Sequence, residues 1–413
     1  MSNTFAVIDK ASKETVRLFK NNLILGSRVN RQFDKDFAAS SGKIGYSLRV
    51  RLPNKFSVRT GASFSATDLK DPVTTINVGQ QKGVDYLISY ADLTMSVEEF
   101  TKRYTAPAAQ HLAAQADLEG YALYKKIANI VGTPGTQPTS SNAAQHLMQA
   151  NAYITNQSAP MDDRHLITST QIQVSYIDGL KGLLNSQKDI GDQYKKGAFA
   201  SGVLGYDDIA ASQSVNSHTA GAYSGTLQVD TAQGAATGSD YQNGTLNIKG
   251  GANNITGFFK EGDVITVGGC DDVDPLTKSP RPYLKRFVIT ADANTSGTGT
   301  AALAISPAIV YGGPYQTVSA QAANNASITV LSGAANSTSE QSLAFHGDAM
   351  TFVMAELEMP TSGVIAASRM TVDDYSFRVI AYYSGDNDQI RLRIDGLWGW
   401  ACLRPEWACR LAY

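Results

Sequence analysis

From Ala293 to Ser339 the chain carries no charged side chain, and no other feature restricts its fold as much. The polar residues there are Gly, Ser, Thr, Asn and Gln, mostly residues that favour turns over helix interiors. Short runs that suit strands punctuate this region and the stretch before it: TLQVD at 226–230, TLNIKG at 245–250, DVITVGG at 263–269, KRFVITAD at 285–292, AALAIS at 301–306 and ASITVL at 326–331. Their spacing and the turn residues between them predict a small antiparallel barrel or sandwich. The mixed composition of 141–211 returns after 341. Residues 218–340 are therefore read as an all-β domain inserted between two halves of another.

At 413 residues and 43% apolar content, the chain exceeds one ordinary core, so more than one domain is expected. The formal charge of -2 supplies no whole-molecule attraction for nucleic acid, whose affinity rests on phosphate neutralisation. Cys270, Cys402 and Cys409 are the only cysteines, an odd number that argues against a disulfide-stapled fold. The N-terminus lacks an apolar core followed by a cleavage site, and no run of about 18 apolar residues occurs, so neither a signal peptide nor a membrane span is expected.

The first segment places Ile8, Val16, Phe19 and Leu23 at helical spacing with Lys13, Arg17 and Lys20 among them. It predicts an amphipathic basic helix ending near Gly26, packed on its own domain or docked as an arm on a partner. Next comes period-two alternation. Tyr46, Leu48, Val50 and Leu52 face away from Ser47, Arg49 and Arg51, and Val84, Tyr86, Ile88 and Tyr90 repeat the pattern. Two long strands joined by a polar middle are expected. Five basic and no acidic residues lie between Phe37 and Thr67, whereas Asp68, Asp71 and Asp85 follow. Such a face is either solvated or reaches acidic surface on a neighbour. Arg49, Arg51, Arg59, Asp68 and Asp71 are the candidate contact residues.

Ser96 and Glu99 have capping-box spacing, and Pro107 should kink the helix that follows or start a new one. Beyond it Ala109, Leu112, Ala116, Gly120, Leu123, Ile127 and Ile130 recur every three or four positions, predicting a helix of about 24 residues. Residues 141–211 read as mixed α/β, with helices at AAQHLMQANAYI and QVSYIDGLKGLL and a strand at HLITST. In the tail LWGWACLRPEWACRLAY, Trp398, Trp400 and Cys402 share one strand face. After the Arg404-Pro405-Glu406 corner, Trp407, Cys409, Leu411 and Tyr413 share the next. Proline cannot donate to a ladder, so it marks the break. The tail predicts two closing strands with tryptophans in the core and the cysteines as buried free thiols.

A search for chemistry finds little. The five histidines have no metal-ligand spacing, Cys270 lies in a turn-like GGCDDVDP, and SGKIG at 41–45 lacks the Ser/Thr of a phosphate loop. The Asp271, Asp272, Asp274 and Asp386, Asp388 clusters read as solvated turns; a calcium loop counted from Asp386 would end at Leu397 instead of glutamate. No catalytic residue, cofactor or metal ligand is assigned. A secreted or surface β-rich binding (adhesin-like) protein and a hydrolase with a β accessory domain are the alternatives to a structural role.

The element order, with GYDDI at 205–209 after QYKKGAF, FHGDAM at 345–350 and the closing RIDGLWGWACLRPEWACRL, resembles the major capsid (coat) proteins of tailed bacteriophages. It resembles more closely the short-tailed-phage coat proteins with an inserted β domain. The resemblance implies an α+β tailed-phage capsid fold, shared with herpesvirus capsids. It would comprise an N-terminal arm (1–41), an extended β-hairpin loop (42–95), a peripheral domain with a spine helix (96–140), an axial domain (141–217 and 341–388), the inserted β domain (218–340) and closing strands returning to the peripheral domain (389–413). It further implies a homo-oligomeric icosahedral shell of hexamers and pentamers, a scaffolding protein, a portal protein and weak, non-specific contact with packaged double-stranded DNA. The virion is the expected location, with assembly in the host cytoplasm.

Overall fold

In a computed structural model, the structure describes residues 2–37, 47–56, 58, 61–62, 72–89, 101–180, 202–237, 241–384 and 389–413. Two compact units emerge. One comprises Met1–Val50, Thr74–Gly120 and Met350–Ala401; the other comprises Arg51–Val73, Tyr121–Ala349 and Cys402–Tyr413.

The first unit is built on a sheet whose long central strand is Gln389–Cys402. Tyr375–Ser384 lies beside it and Ala366–Val372 beyond, while Met350–Ala355 and Gln80–Ser89 also pair with the long strand. A helix, Ser2–Asn22, packs on Ala366–Val372 and Tyr375–Ser384. Its predicted apolar face is used as expected: Val16 and Phe19 are fully buried, and Phe19 meets Phe377 edge-on at 4.7 Å. The helix thus packs on its own unit.

The two strands read in the loop pair differently from a single long hairpin. Ser47–Arg51 pairs with Val73–Asn77, whereas Gln80–Ser89 runs antiparallel to the tail strand from Gln80 opposite Trp398 to Ser89 opposite Gln389. The alternation itself is present, with Val84 and Tyr86 half-buried and Asp85 and Leu87 exposed. A ten-residue ladder against a central strand satisfies more backbone groups than the shorter Ser47–Arg51 edge offers. Tyr46, Tyr90 and the Ser96/Glu99 cap lie outside the described residues.

The central helix is shorter than its stripe. A π-helical turn at Thr101–Thr105 precedes Ala106–Tyr121, with Pro107 in the first turn, where its missing donor costs nothing. The chain then tightens over Ala122–Lys126 and becomes extended at Ile127. Ala109, Leu112, Ala116, Leu123, Ile127 and Ile130 are nonetheless all buried. The last of these enters a strand, Ile130–Val131, parallel to Ala408–Ala412. Tertiary pairing of β-branched residues has overridden helical periodicity.

In the second unit a sheet ordered Ile130–Val131, Ala408–Ala412, Thr338–His346, Arg164–Ser169, Asp208–Ser212 packs with the helices Ala143–Asn156 and Thr170–Leu180. Their shared core includes Leu147, Ile154, Leu166, Ile172, Tyr176, Tyr206 and Leu411. All six strands read from the sequence between 226 and 331 are present in this unit. Their sheet runs Ile328–Val330, Val264–Val273, Pro280–Ile289, Ala301–Ser306, Gly244–Gly251, Gly225–Val229, every neighbouring pair antiparallel. The first and last strands meet: the Val229 amide donates to Ala326 O at 2.9 Å and the Asn325 amide to Val229 O at 3.0 Å. Closure into a barrel removes the edges that such uncharged strands would otherwise expose. Leu246, Ile248, Ile265, Phe287, Ile289 and Leu303 fill it.

The tail places one closing strand in each unit, Gln389–Cys402 in the first and Ala408–Ala412 in the second. Trp398 is buried, while Trp400 and Trp407 are half-buried, Trp407 at the Pro405–Trp407 corner. Cys270, Cys402 and Cys409 are buried free thiols.

Candidate assembly surface

Ser47–Arg51 alternates as its sequence requires, with Arg49 and Arg51 exposed and Leu48 and Val50 half-buried. The two guanidinium groups therefore lie on one exposed side of a strand, two residues apart. Arg59, Asp68 and Asp71 fall outside the described residues. Where the chain leaves this strand, the Leu52 amide donates to Pro72 O at 2.8 Å and closes the limbs of the loop.

The next residues reach the barrel. Lys55 Nζ sits 4.3 Å above the centre of the Tyr241 ring, and Tyr241 stacks on Tyr315 with centroids 5.1 Å apart. Tyr315 Oη donates to Asn54 Oδ1 at 3.0 Å. Burial, and to a lesser extent Lys285, holds the Lys55 ammonium below its ordinary range, with Glu406 opposing. Phe56 and Val58 stay 61% and 93% exposed. An aromatic pair with no carboxylate of its own is a suitable seat for a cation.

The acidic cluster at 271–274 was expected in a solvated turn, but Cys270, Asp271 and Asp272 belong to the strand Val264–Val273. Asp272 is 2% exposed. Lys285 Nζ donates to its Oδ1 at 2.6 Å, while Gln157 Nε2 and Tyr283 Oη each donate to Oδ2 at 3.2 Å. Arg281 donates to Asn156 O at 2.7 Å and to Asp274 at 2.9 Å, and Arg286 donates to Tyr153 Oη at 2.8 Å. These bonds tie the barrel's Val264–Val273 and Pro280–Ile289 hairpin to the end of the Ala143–Asn156 helix. The period-two relation of Cys270 to Asp272 was a legible sign of an inward carboxylate; Lys285, its partner across the hairpin, was not. The Asp386 and Asp388 cluster lies outside the described residues.

A second anchor lies at the barrel's root. Asp263, fully buried, meets His218 Nε2 at 2.8 Å and accepts from the Gly221 amide at 3.1 Å and the Lys260 amide at 2.8 Å. Tyr124 Oη is 3.2 Å from His218 Nδ1. Arg410 is also fully buried and donates to Gly262 O at 2.9 Å; its desolvation lowers it to about 10. Burial pushes the Cys402 and Cys409 thiols up to about 12 and Cys270 to about 11, keeping all three protonated and unreactive. Among the described residues no group of three or more His, Cys, Asp or Glu is placed to hold a metal ion, and no helix is long and apolar enough to cross a membrane.

A family model described as "P22 coat protein - gene protein 5" matches residues 1–410. Among solved structures, one titled "Mycobacterium phage Che8" is 13% identical, with 94% of this chain and 90% of that chain covered and a TM-score of 0.47. A capsid structure of the cyanophage P-SCSP1u is 13% identical, covering 89% of this chain and 83% of that one at a TM-score of 0.42. The CUS-3 coat protein I-domain is 26% identical, with 26% of this chain and 97% of that chain covered and a TM-score of 0.19. No curated protein matches.

Proposed function

The chain belongs to the P22 coat protein family, and on that footing we propose how its parts serve the shell. It is a tailed-phage major capsid protein, a self-assembling component of the virion with a structural role. Residues 42–95 act as the extended loop, 96–140 as the peripheral domain, 141–217 and 341–388 as the axial domain, and 1–41 as the N-terminal arm. Copies associate as hexamers and pentamers of a closed icosahedral shell around double-stranded DNA. Arg49, Arg51 and Arg59 of one copy face acidic surface of the next, Asp68 and Asp71 included, a heterologous contact that repeats round a ring. No catalytic step is assigned to the chain. A scaffolding protein directs assembly in the host cytoplasm, a portal protein occupies one vertex, and the near-neutral charge keeps the wall from binding the genome tightly.

The observation that carries this reading is the basic strand face at Arg49 and Arg51, exposed in a chain whose family builds coats. Expressing the chain alone and with its neighbouring reading frames, followed by sedimentation and imaging, tests it. Uniform closed particles or rings are expected. A monomer that resists association even beside a scaffolding protein would overturn the arrangement.

A further inference from the structure

We propose that the Tyr241–Tyr315 face of the inserted barrel is a docking seat for the cationic Asn54–Lys55 segment of the extended loop, filled by the chain's own Asn54–Lys55 in the isolated subunit and by the same segment of a second copy in the shell. The trans half rests on the shell reading above.

The seat is specific for this dipeptide chemistry. Tyr241 presents a ring face 4.3 Å from Lys55 Nζ, Tyr315 backs it as a stacked partner, and the Tyr315 hydroxyl donates to the Asn54 side-chain carbonyl at 3.0 Å. Both tyrosines are buried. Tyr315 lies within the charge-free stretch 293–339, so the aromatic face and hydroxyl take the place of a carboxylate. The occupant comes from a stretch with five basic residues and no acidic one between Phe37 and Thr67.

Two observations fit a cis arrangement that can exchange. Lys278, whose Nζ is buried without a hydrogen-bond acceptor among the described residues, feels the positive charge of the docked Lys55, and like charges oppose docking. Phe56 and Val58 also remain exposed beside the docked residues; a neighbouring copy would cover them. A segment seated on its own chain finds identical contacts on a second copy, and the exchange between subunits then needs no new complementarity.

The test uses two single-cysteine additions that leave the seat intact, Phe56→Cys on the loop and Asn243→Cys beside Tyr241, with a flexible bis-maleimide as probe. In the free subunit carrying both, an intrachain cross-link is expected, and Lys55→Gln should reduce its yield several-fold. In shells co-assembled from the two singly substituted subunits, a covalent dimer is expected on a denaturing gel. Shells that form yet yield no dimer would overturn trans docking while leaving the shell reading intact. Absence of shells from the unsubstituted chain would instead remove that reading and trans docking with it. Absence of the intrachain product in a folded subunit would overturn the seat itself. Should the cysteine variants not fold, Lys55→Gln alone decides: assembly slowed several-fold at unchanged thermal midpoint is expected, and an unchanged rate overturns the proposal.

Discussion

Asp117 shows how one side chain organises a unit. From the middle of the Ala106–Tyr121 helix its carboxylate accepts the Ile24 amide at 2.7 Å and the Gly26 amide at 3.1 Å, capping the turn that follows the N-terminal helix. Burial raises its pKa, and these backbone bonds oppose the rise. Replacing it by Ala would leave buried amides without acceptors. Asp117→Ala is expected to cost about 2–4 kcal/mol, read as a lower urea midpoint, with Asp117→Asn costing less. Lys278 supplies a pH signature. Burial, and then Lys55, pushes it down to about 8 from an ordinary 10.5. Across that window Lys278 binds fewer protons in the folded state than in the unfolded one, so its own contribution to stability rises with pH between those values, against the opposite contribution of the buried thiols. The urea midpoint of the unsubstituted chain should therefore gain on that of Lys278→Met as the pH is raised through that range.

Packing between elements turns on close approaches that small residues permit. A Cβ on Gly120 would come within 2.7 Å of both Leu25 Cδ2 and Trp400 Cζ2, because the central helix lies directly on the N-terminal turn and the tail strand. Gly120→Val is expected to destabilise the first unit by about 1–3 kcal/mol through overpacking, seen as a lower melting temperature with secondary structure retained below it. In the second unit the buried Asp272 with Lys285 and Gln157 holds the barrel hairpin to the Ala143–Asn156 helix. Removing one partner of a buried pair leaves an uncompensated charge, so Asp272→Ala should cost about 3–5 kcal/mol. Hydrogen exchange should then quicken in the Pro280–Ile289 strand before it does in the core sheet. Apolar spacing identified both packed faces, yet neither the glycine contact nor the ion pair could be read from spacing, since each depends on residues far apart in the chain.

For the subunit as a whole, the exposed position of Arg49 and Arg51 separates folding from association. Changing Arg49, Arg51 and Arg59 together to Ala should leave the subunit's thermal midpoint within about 1 °C, because the Arg49 and Arg51 charges are exposed and such charges contribute little to stability. Particle yield by sedimentation should fall steeply. A large loss of subunit stability would mean that these side chains serve intrachain packing. Local chemistry alone was enough to specify the six strands of the barrel, the basic alternating strand and the free cysteines. Period, turn residues and charge are written in consecutive positions, and burial in the structure follows them. Other choices needed the folded chain. The central helix stopped at Tyr121 because Ile130 found a strand partner in Arg410. The Gln80–Ser89 strand chose the tail over its hairpin neighbour, and Asp272 went inward because Lys285 was there to receive it. In each case the deciding contact comes from a segment far away in the chain, and period, turn residues and charge, being local, do not encode it.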